Sequence, residues 1–312
     1  MAAYSTSAFI PRPSLSATVG SALSDFWTLT KPEVNFLILI ATSGGFYAGH
    51  PSDLHPFPFV RLLNTLFGTL LVASGTGALN QYLEYRFDAQ MRRTSRRPVA
   101  SGRMRPLTAC WFGVSISAIG AVYLLVAVNA LASLLAVLTL VSYLFVYTPL
   151  KRKTPLCTLV GAFPGAMPPL IGWAAASGSI ASANAWIFYG LLFLWQFPHF
   201  MAIAWMYRED YARARYHIFP AKNQERFTAC HIVGPSFFLF LLSLAAVALN
   251  RGGIFLYSAT AILGSGLLYC AGRQVFLQSK IAARQSLKAT ILYLPLELLI
   301  LVLAIGTHHA GL

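Results

Sequence analysis

This sequence is expected to fold as an all-α integral membrane protein, a bundle of nine membrane-spanning helices. Three observations predict it. Hydrophobic residues make up 57% of the 312 and charged residues only 10%, with a mean hydropathy of +0.63. Soluble proteins carry about 25% charged residues, so a water-soluble globule is excluded. Apolar runs near the length needed to cross a bilayer recur along the whole chain. With nine spans the loops alternate sides, and 21 of the 23 lysines and arginines then fall on one side, leaving only Arg61 and Arg251 on the other. Positive charge gathers on the cytoplasmic face, and a miscount of one span would scramble the pattern. The same rule accounts for the net charge of +14, which in a soluble protein would point to nucleic acid.

The elements follow in order. Residues 1–24 are rich in Ser and Ala, with one Arg and no acid, and read as a flexible N-terminal tail rather than a signal peptide. Residues 25–312 form the membrane domain. Its spans are placed at 34–50, 60–80, 108–127, 129–147, 156–176, 185–206, 229–249, 253–272 and 289–307. Pro164, Pro168, Pro169 and Pro198 interrupt two of them, which predicts kinked or broken helices there. The loops on the opposite face are short and almost uncharged, so the candidate chemistry lies on the basic face. Cys110, Cys157, Cys230 and Cys270 lack metal-type spacing and read as small hydrophobes.

Four constellations stand out. Asn80, Glu84 and Asp88 recur at i, i+4 and i+8, so a helix puts three oxygen-bearing side chains on one face. Arg93 and Arg97 follow at once. Oxygen ligands suit Mg²⁺, which binds through one or two carboxylates together with substrate phosphates, and arginines suit the phosphates. The run reads as a metal-diphosphate site. The same spacing also fits a solvated helix end with Glu84 or Asp88 paired to Arg92. The second constellation, Tyr147 to Thr154, carries Lys151, Arg152 and Lys153, which could hold a diphosphate or anchor a helix. The third, Gly161, Gly165, Pro168, Pro169, Gly172 and Trp173, suits close helix packing or a cavity wall. In the fourth, Trp195 to Phe200, His199 lies inside an apolar span, as an iron ligand, a proton relay or a hydrogen-bonded strut. Arg208 and Asp210 end that span, where Asp210 could form a second acidic site opposite Asp88. Glu297 is an isolated acid with no assigned role.

Together these stretches resemble the UbiA superfamily of intramembrane prenyltransferases. Its motif N-x3-[DE]-x3-D-x2-M-x-R-T-x2-R-P is complete from Asn80 to Pro98. The stretches YTPLKRKT, GAFPGAMPPLIGW, WQFPHF and DYARA, and Leu-Thr-Lys-Pro at 29–32, are similar to the branch that farnesylates haem b. The resemblance covers about 30–305. The chain departs from the branch at Arg215, where Gly is usual, and at Ile218-Phe219-Pro220, where Met-Leu-Pro is usual. The resemblance implies a UbiA-type bundle with a central cavity open to the cytoplasmic side. It implies transfer of farnesyl from farnesyl diphosphate to the vinyl group of haem b, with water addition, giving haem O. Mg²⁺ is then expected on Asn80, Glu84 and Asp88, with Asp210 at a second metal. Arg93, Arg97, Lys151 and Arg152 would stabilise the diphosphate, and His199, Arg208, Asp210, Tyr147 and Trp195 would contact substrates. Haem A synthase or oxidase assembly proteins are the implied partners, beside membrane lipid. A bacterial plasma membrane is favoured over the mitochondrial inner membrane. A sister enzyme prenylating an aromatic ring, and a transporter, are the competing readings.

Overall fold

The computed structural model describes residues 19–50, 56–216 and 225–309. Among the described residues every regular element is helical. Two short or modest helices, α1 (Val19–Thr30) and α2 (Pro32–Gly49), lead into the long α3 (Phe59–Asp88) and α4 (Pro106–Ala127). α5 (Ala130–Val141) continues through a π-helical stretch, Ser142–Tyr147, into the single turn α6 (Thr148–Leu150). α7 (Cys157–Gly165) and α8 (Met167–Ser177) are two halves of one span. α9 (Ala183–Met206), α10 (Arg208–Arg213), α11 (Glu225–Leu249), α12 (Ile254–Leu277) and α13 (Lys280–His309) complete the chain.

Among the described residues, eight helices are long and apolar enough to cross a membrane. The ninth expected span, 34–50, is occupied by α2, whose 18 residues include Glu33, Asn35 and the polar run Thr42-Ser43-Gly44-Gly45. Outward-facing Trp111, Phe255 and Phe276 are exposed, as suits side chains that meet lipid. The tail expected over 1–24 lies outside the described residues as far as 18, and residues 19–24 already belong to α1.

The proline prediction of a kinked or broken helix is met by a break at one place. The chain breaks between Gly165 and Ala166, between Pro164 and the Pro168-Pro169 pair. α9, by contrast, runs through Pro198 as one helix. Glycines fix the approach of neighbouring helices. A Cβ on Gly172 would overlap the Thr42 carbonyl oxygen of α2, and one on Gly165 would overlap the Gln196 side chain of α9. The third constellation is therefore a packing device. Of the four cysteines only Cys157 is buried, and all four are free.

α3 positions the site. Gly75 and Gly113 bring it against α4 so closely that a Cβ on Gly113 would stand 3.0 Å from the Gly75 oxygen. The helix passes the expected end at residue 80 and carries its polar face to Asp88 without a break. A cavity of about 890 Å³ lies at the other end, between α2, the first turns of α3 and the end of α13, lined by Ser43, Tyr47, His50, Phe57 and Leu298 among others.

Candidate active site

Asn80, Glu84 and Asp88 lie one turn apart on the last stretch of α3, about 6 Å per step along the axis. They are only 2%, 6% and 1% exposed, so their polar atoms need partners. The Asn80 amide Nδ2 donates to Glu84 Oε2 at 2.7 Å, and Lys31 Nζ donates to Asn80 Oδ1 at 2.8 Å. Lys151 Nζ lies 3.0 Å from both oxygens of Glu84, and the Tyr216 hydroxyl donates to Glu84 Oε1 at 3.0 Å. Asp88 Oδ2 takes the Arg97 guanidinium at 2.8 Å. The pairing with Arg92 that helix spacing allowed is replaced by partners from farther along the chain.

Local chemistry explains how Arg97 arrives. Met91 N donates to the Asp88 carbonyl, and the Thr94 hydroxyl donates to the same oxygen at 2.9 Å. The Met-x-Arg-Thr-x2-Arg run thus folds back over the helix end and returns its second arginine to Asp88. Lys151 reaches Glu84 from α6, its ammonium 4.6 Å from the Tyr147 ring centroid. Gly161 makes room for that ring, since a Cβ there would stand 2.5 Å from Tyr147 Cε2.

The electrostatics match. Burial is the largest single influence on Lys151 and lowers its pKa, but the Glu84 carboxylate together with Tyr147, Tyr143 and Tyr216 outweighs it and holds the ammonium well above its ordinary value. Burial, with Glu84 beside it, raises the Tyr216 hydroxyl, so Tyr216 is a donor here. Lys31 differs. Burial, followed by the repulsion of Arg97 and Lys151, lowers it to about 7.

The other expected residues are placed less directly. Asp210 is buried, but its Oδ2 accepts from the Arg93 backbone N–H at 3.0 Å and its Oδ1 pairs with Arg213. Among the described residues no three His, Cys, Asp or Glu side chains converge as a metal-binding group, so the structure does not bring Asp210 onto the α3 line. Arg93 lies with its guanidinium 4.9 Å over Tyr207 and bonded to the Tyr211 hydroxyl. Arg152 stacks on Phe87 at 4.6 Å. Arg208 is exposed and stacks on Trp205. His199 Nδ1 pairs with Thr290 Oγ1 at 2.9 Å, and Trp195 stacks on its ring at 4.5 Å. Trp195 is itself fixed to α13 through Nε1 to the Thr290 carbonyl, so it supports His199.

The sequence matches the UbiA prenyltransferase family over residues 38–305. The chain belongs to that family. The protoheme IX farnesyltransferase of Solibacter usitatus (strain Ellin6076) is 43% identical over 281 residues, 88% of this chain and 96% of the relative. Two solved structures share the fold. One is a digeranylgeranylglyceryl phosphate synthase, with a TM-score of 0.69 at 17% identity, covering 91% of this chain and 99% of that one. The other is a UbiA homolog from Archaeoglobus fulgidus bound to DMAPP and Mg²⁺, with a TM-score of 0.64 at 13% identity, covering 90% and 99%.

Two residues of this UbiA site were missed from sequence. Lys31 sat inside the Leu-Thr-Lys-Pro stretch, whose signal was a cation directly before the first span. Tyr216 follows the DYARA stretch. The backbone that delivers it is a helix-ending turn: Tyr216 N donates to the Tyr211 carbonyl, Arg215 N to the Ala212 carbonyl, and Arg215 takes φ 53°. The two tyrosine rings at its ends lie 6.2 Å apart. The departure from Gly at 215 therefore leaves the turn intact and puts Arg in a left-handed position. The departure at 218–220 lies outside the described residues.

Proposed function

We propose that this protein transfers the farnesyl group of farnesyl diphosphate to a vinyl group of haem b and adds water, giving haem O and diphosphate. The observation that carries the reading is the buried line Asn80, Glu84 and Asp88 with Lys151 and Arg97 against its carboxylates. The choice of haem b rests on the protoheme IX farnesyltransferase that aligns along 96% of its length.

Asn80, Glu84 and Asp88 would hold Mg²⁺. Their ligand atoms are all oxygens, set at one-turn intervals on a single helix, and such sets take this ion together with substrate phosphates. When bound, Mg²⁺ screens the charge that gathers on diphosphate as the C1–O bond breaks. The archaeal homolog bound to DMAPP and Mg²⁺ supports the choice of metal.

The chain's own cations act on the same charge. Lys151 and Arg97 donate to phosphate oxygens, already oriented by Tyr147 and by the loop that Thr94 ties down. Arg93 and Arg152 guard the rim, each fixed on an aromatic face. The electron pair of the C1–O bond leaves with diphosphate, and the vinyl carbon of haem b attacks the allylic cation. Water adds to the centre so formed and gives up its proton to the departing diphosphate. His199, stacked on Trp195 and fixed through Nδ1, orients haem b with its other ring nitrogen toward the iron. Asp210 is a positioning residue that secures Arg93.

The bundle crosses the membrane nine times, with α2 as the additional span. The acidic end of α3 faces the cytoplasm of a bacterial plasma membrane, a reading that the basic loops support. Haem A synthase or oxidase assembly proteins would receive the product.

The test is incubation of purified protein with haem b, farnesyl diphosphate and Mg²⁺, followed by mass spectrometry. The expected product is haem carrying one farnesyl group and one water. A prenylated aromatic ring with no haem product overturns the reading in favour of the quinone-type sister activity.

A further inference from the structure

Lys31 has no part in the reading above, yet the fold is arranged around it. It joins α1 to α2 directly before Pro32, and its backbone is left-handed, at φ 53° and ψ 61°. A lysine is strained there, and the following proline restricts it further. Such strain persists only where the surroundings hold it. Here Asn35 Nδ2 donates at 2.8 Å to both Thr30 O and Ser74 Oγ, and Gln81 Nε2 donates to Thr28 O at 3.2 Å. α3 also leaves a passage. A Cβ on Gly77 would come within 3.2 Å of Leu29 O and 3.5 Å of Lys31 Cδ, so the lysine stem crosses α3 where that helix lacks a side chain. The passage ends at Asn80 Oδ1, 2.8 Å from Nζ.

The neighbouring cations are bonded differently. Lys151 and Arg97 are paired with carboxylates. Among the described residues Lys31 forms no ion pair, and its acceptor is a neutral amide oxygen. By holding Oδ1, Lys31 also fixes the Asn80 amide with Nδ2 toward Glu84. One of the three side chains assigned to the metal is therefore covered by an ammonium group.

We infer that Lys31 couples diphosphate binding to metal binding: its ammonium covers Asn80 Oδ1 in the free protein and moves to a phosphate oxygen when diphosphate arrives, which uncovers Asn80 for Mg²⁺. This rests on the proposal that Asn80, Glu84 and Asp88 hold Mg²⁺. Only hydrogen-bond and ligand partners are exchanged, and no covalent bond changes. Because the ammonium competes with Mg²⁺ for Asn80 Oδ1 and attracts phosphate, removing it strengthens the binding of Mg²⁺ alone and weakens that of pyrophosphate.

The test is calorimetric titration of the full-length protein in detergent, first with Mg²⁺ alone and then with inorganic pyrophosphate in excess Mg²⁺. Lys31→Met is expected to bind Mg²⁺ alone about tenfold more tightly and pyrophosphate about tenfold more weakly. Lys31→Arg restores the wild-type values. Arg284→Met, which removes the same charge from an exposed position on α13 without touching Asn80, changes each by less than about threefold. Lys31→Gly relaxes the strained backbone and stands in if the methionine variant does not fold. If both affinities fall together, or neither moves, the lysine is structural and the inference is wrong. If the wild type binds neither Mg²⁺ nor pyrophosphate, the metal reading fails as well.

Discussion

Glu84 and Asp210 are both buried acids at the basic face, and they are held by different kinds of partner. Glu84 is surrounded by side-chain donors: Lys151, Tyr216 and the Asn80 amide. Asp210 takes a backbone N–H, that of Arg93, together with Arg213 on its own turn. Side-chain donors on flexible stems can leave for a phosphate when a metal arrives. A backbone N–H cannot leave without moving the loop that carries it. On the proposed reading, ligand exchange belongs to α3 and loop anchoring to α10.

The largest effect should come from α3. Asp88→Asn is expected to lower haem O formation about a thousandfold while the protein still inserts and keeps its helical circular dichroism. Near-normal turnover with Mg²⁺ supplied would falsify the metal assignment. Glu84→Gln should be as inactive and also less stable, by about 3 kcal/mol, because it leaves the Lys151 ammonium buried without its carboxylate. Thermal unfolding in detergent measures that loss, and an unchanged midpoint would show that Lys151 finds another partner. EDTA should stop turnover and Mg²⁺ restore it. Activity indifferent to chelation removes the metal from α3.

Asp210→Asn should do less. We expect about a tenfold loss of activity, as the Arg93 loop loosens, with Mg²⁺ affinity within twofold of wild type. A tenfold fall in Mg²⁺ affinity would instead make Asp210 a ligand and erase the distinction between the two acids.

Much of this contrast could be read from the chain. The placement of eight of the nine expected spans followed from hydropathy, and the α3 line from its four-residue spacing, because both depend on local sequence. The partners did not. Arg97 reaches Asp88 only because Thr94 folds the loop back, and Tyr216 reaches Glu84 across 132 positions. Asp210 is buried at a helix end, and its sequence setting does not reveal that the Arg93 backbone N–H and Arg213 are its partners. Lys31 lies in the Leu-Thr-Lys-Pro stretch, but its left-handed backbone, and the gap at Gly77 through which it passes, are tertiary facts. The uninterrupted α9 shows the reverse limit. A proline removes one helical hydrogen bond, and packing among neighbouring spans can hold the helix through it.

The smallest effect tests the turn that delivers Tyr216 to Glu84. Arg215 lies at the left-handed position of that turn, where Gly carries no Cβ penalty, and its side chain is exposed. Arg215→Gly should therefore stabilise the protein by about 1 kcal/mol, or roughly 2 °C in Tm for a chain of this size. Both turn hydrogen bonds run through the backbone, so the substitution keeps them, and turnover should not change. The position of the turn beside the Asp210 anchor sharpens the point: relaxing the backbone at 215 leaves Asp210 on Arg93 and Tyr216 on Glu84. A lower Tm would mean that the Arg215 guanidinium contributes more than its backbone strain costs. A loss of turnover at unchanged Tm would mean that this side chain, and not only the turn, belongs to the diphosphate rim.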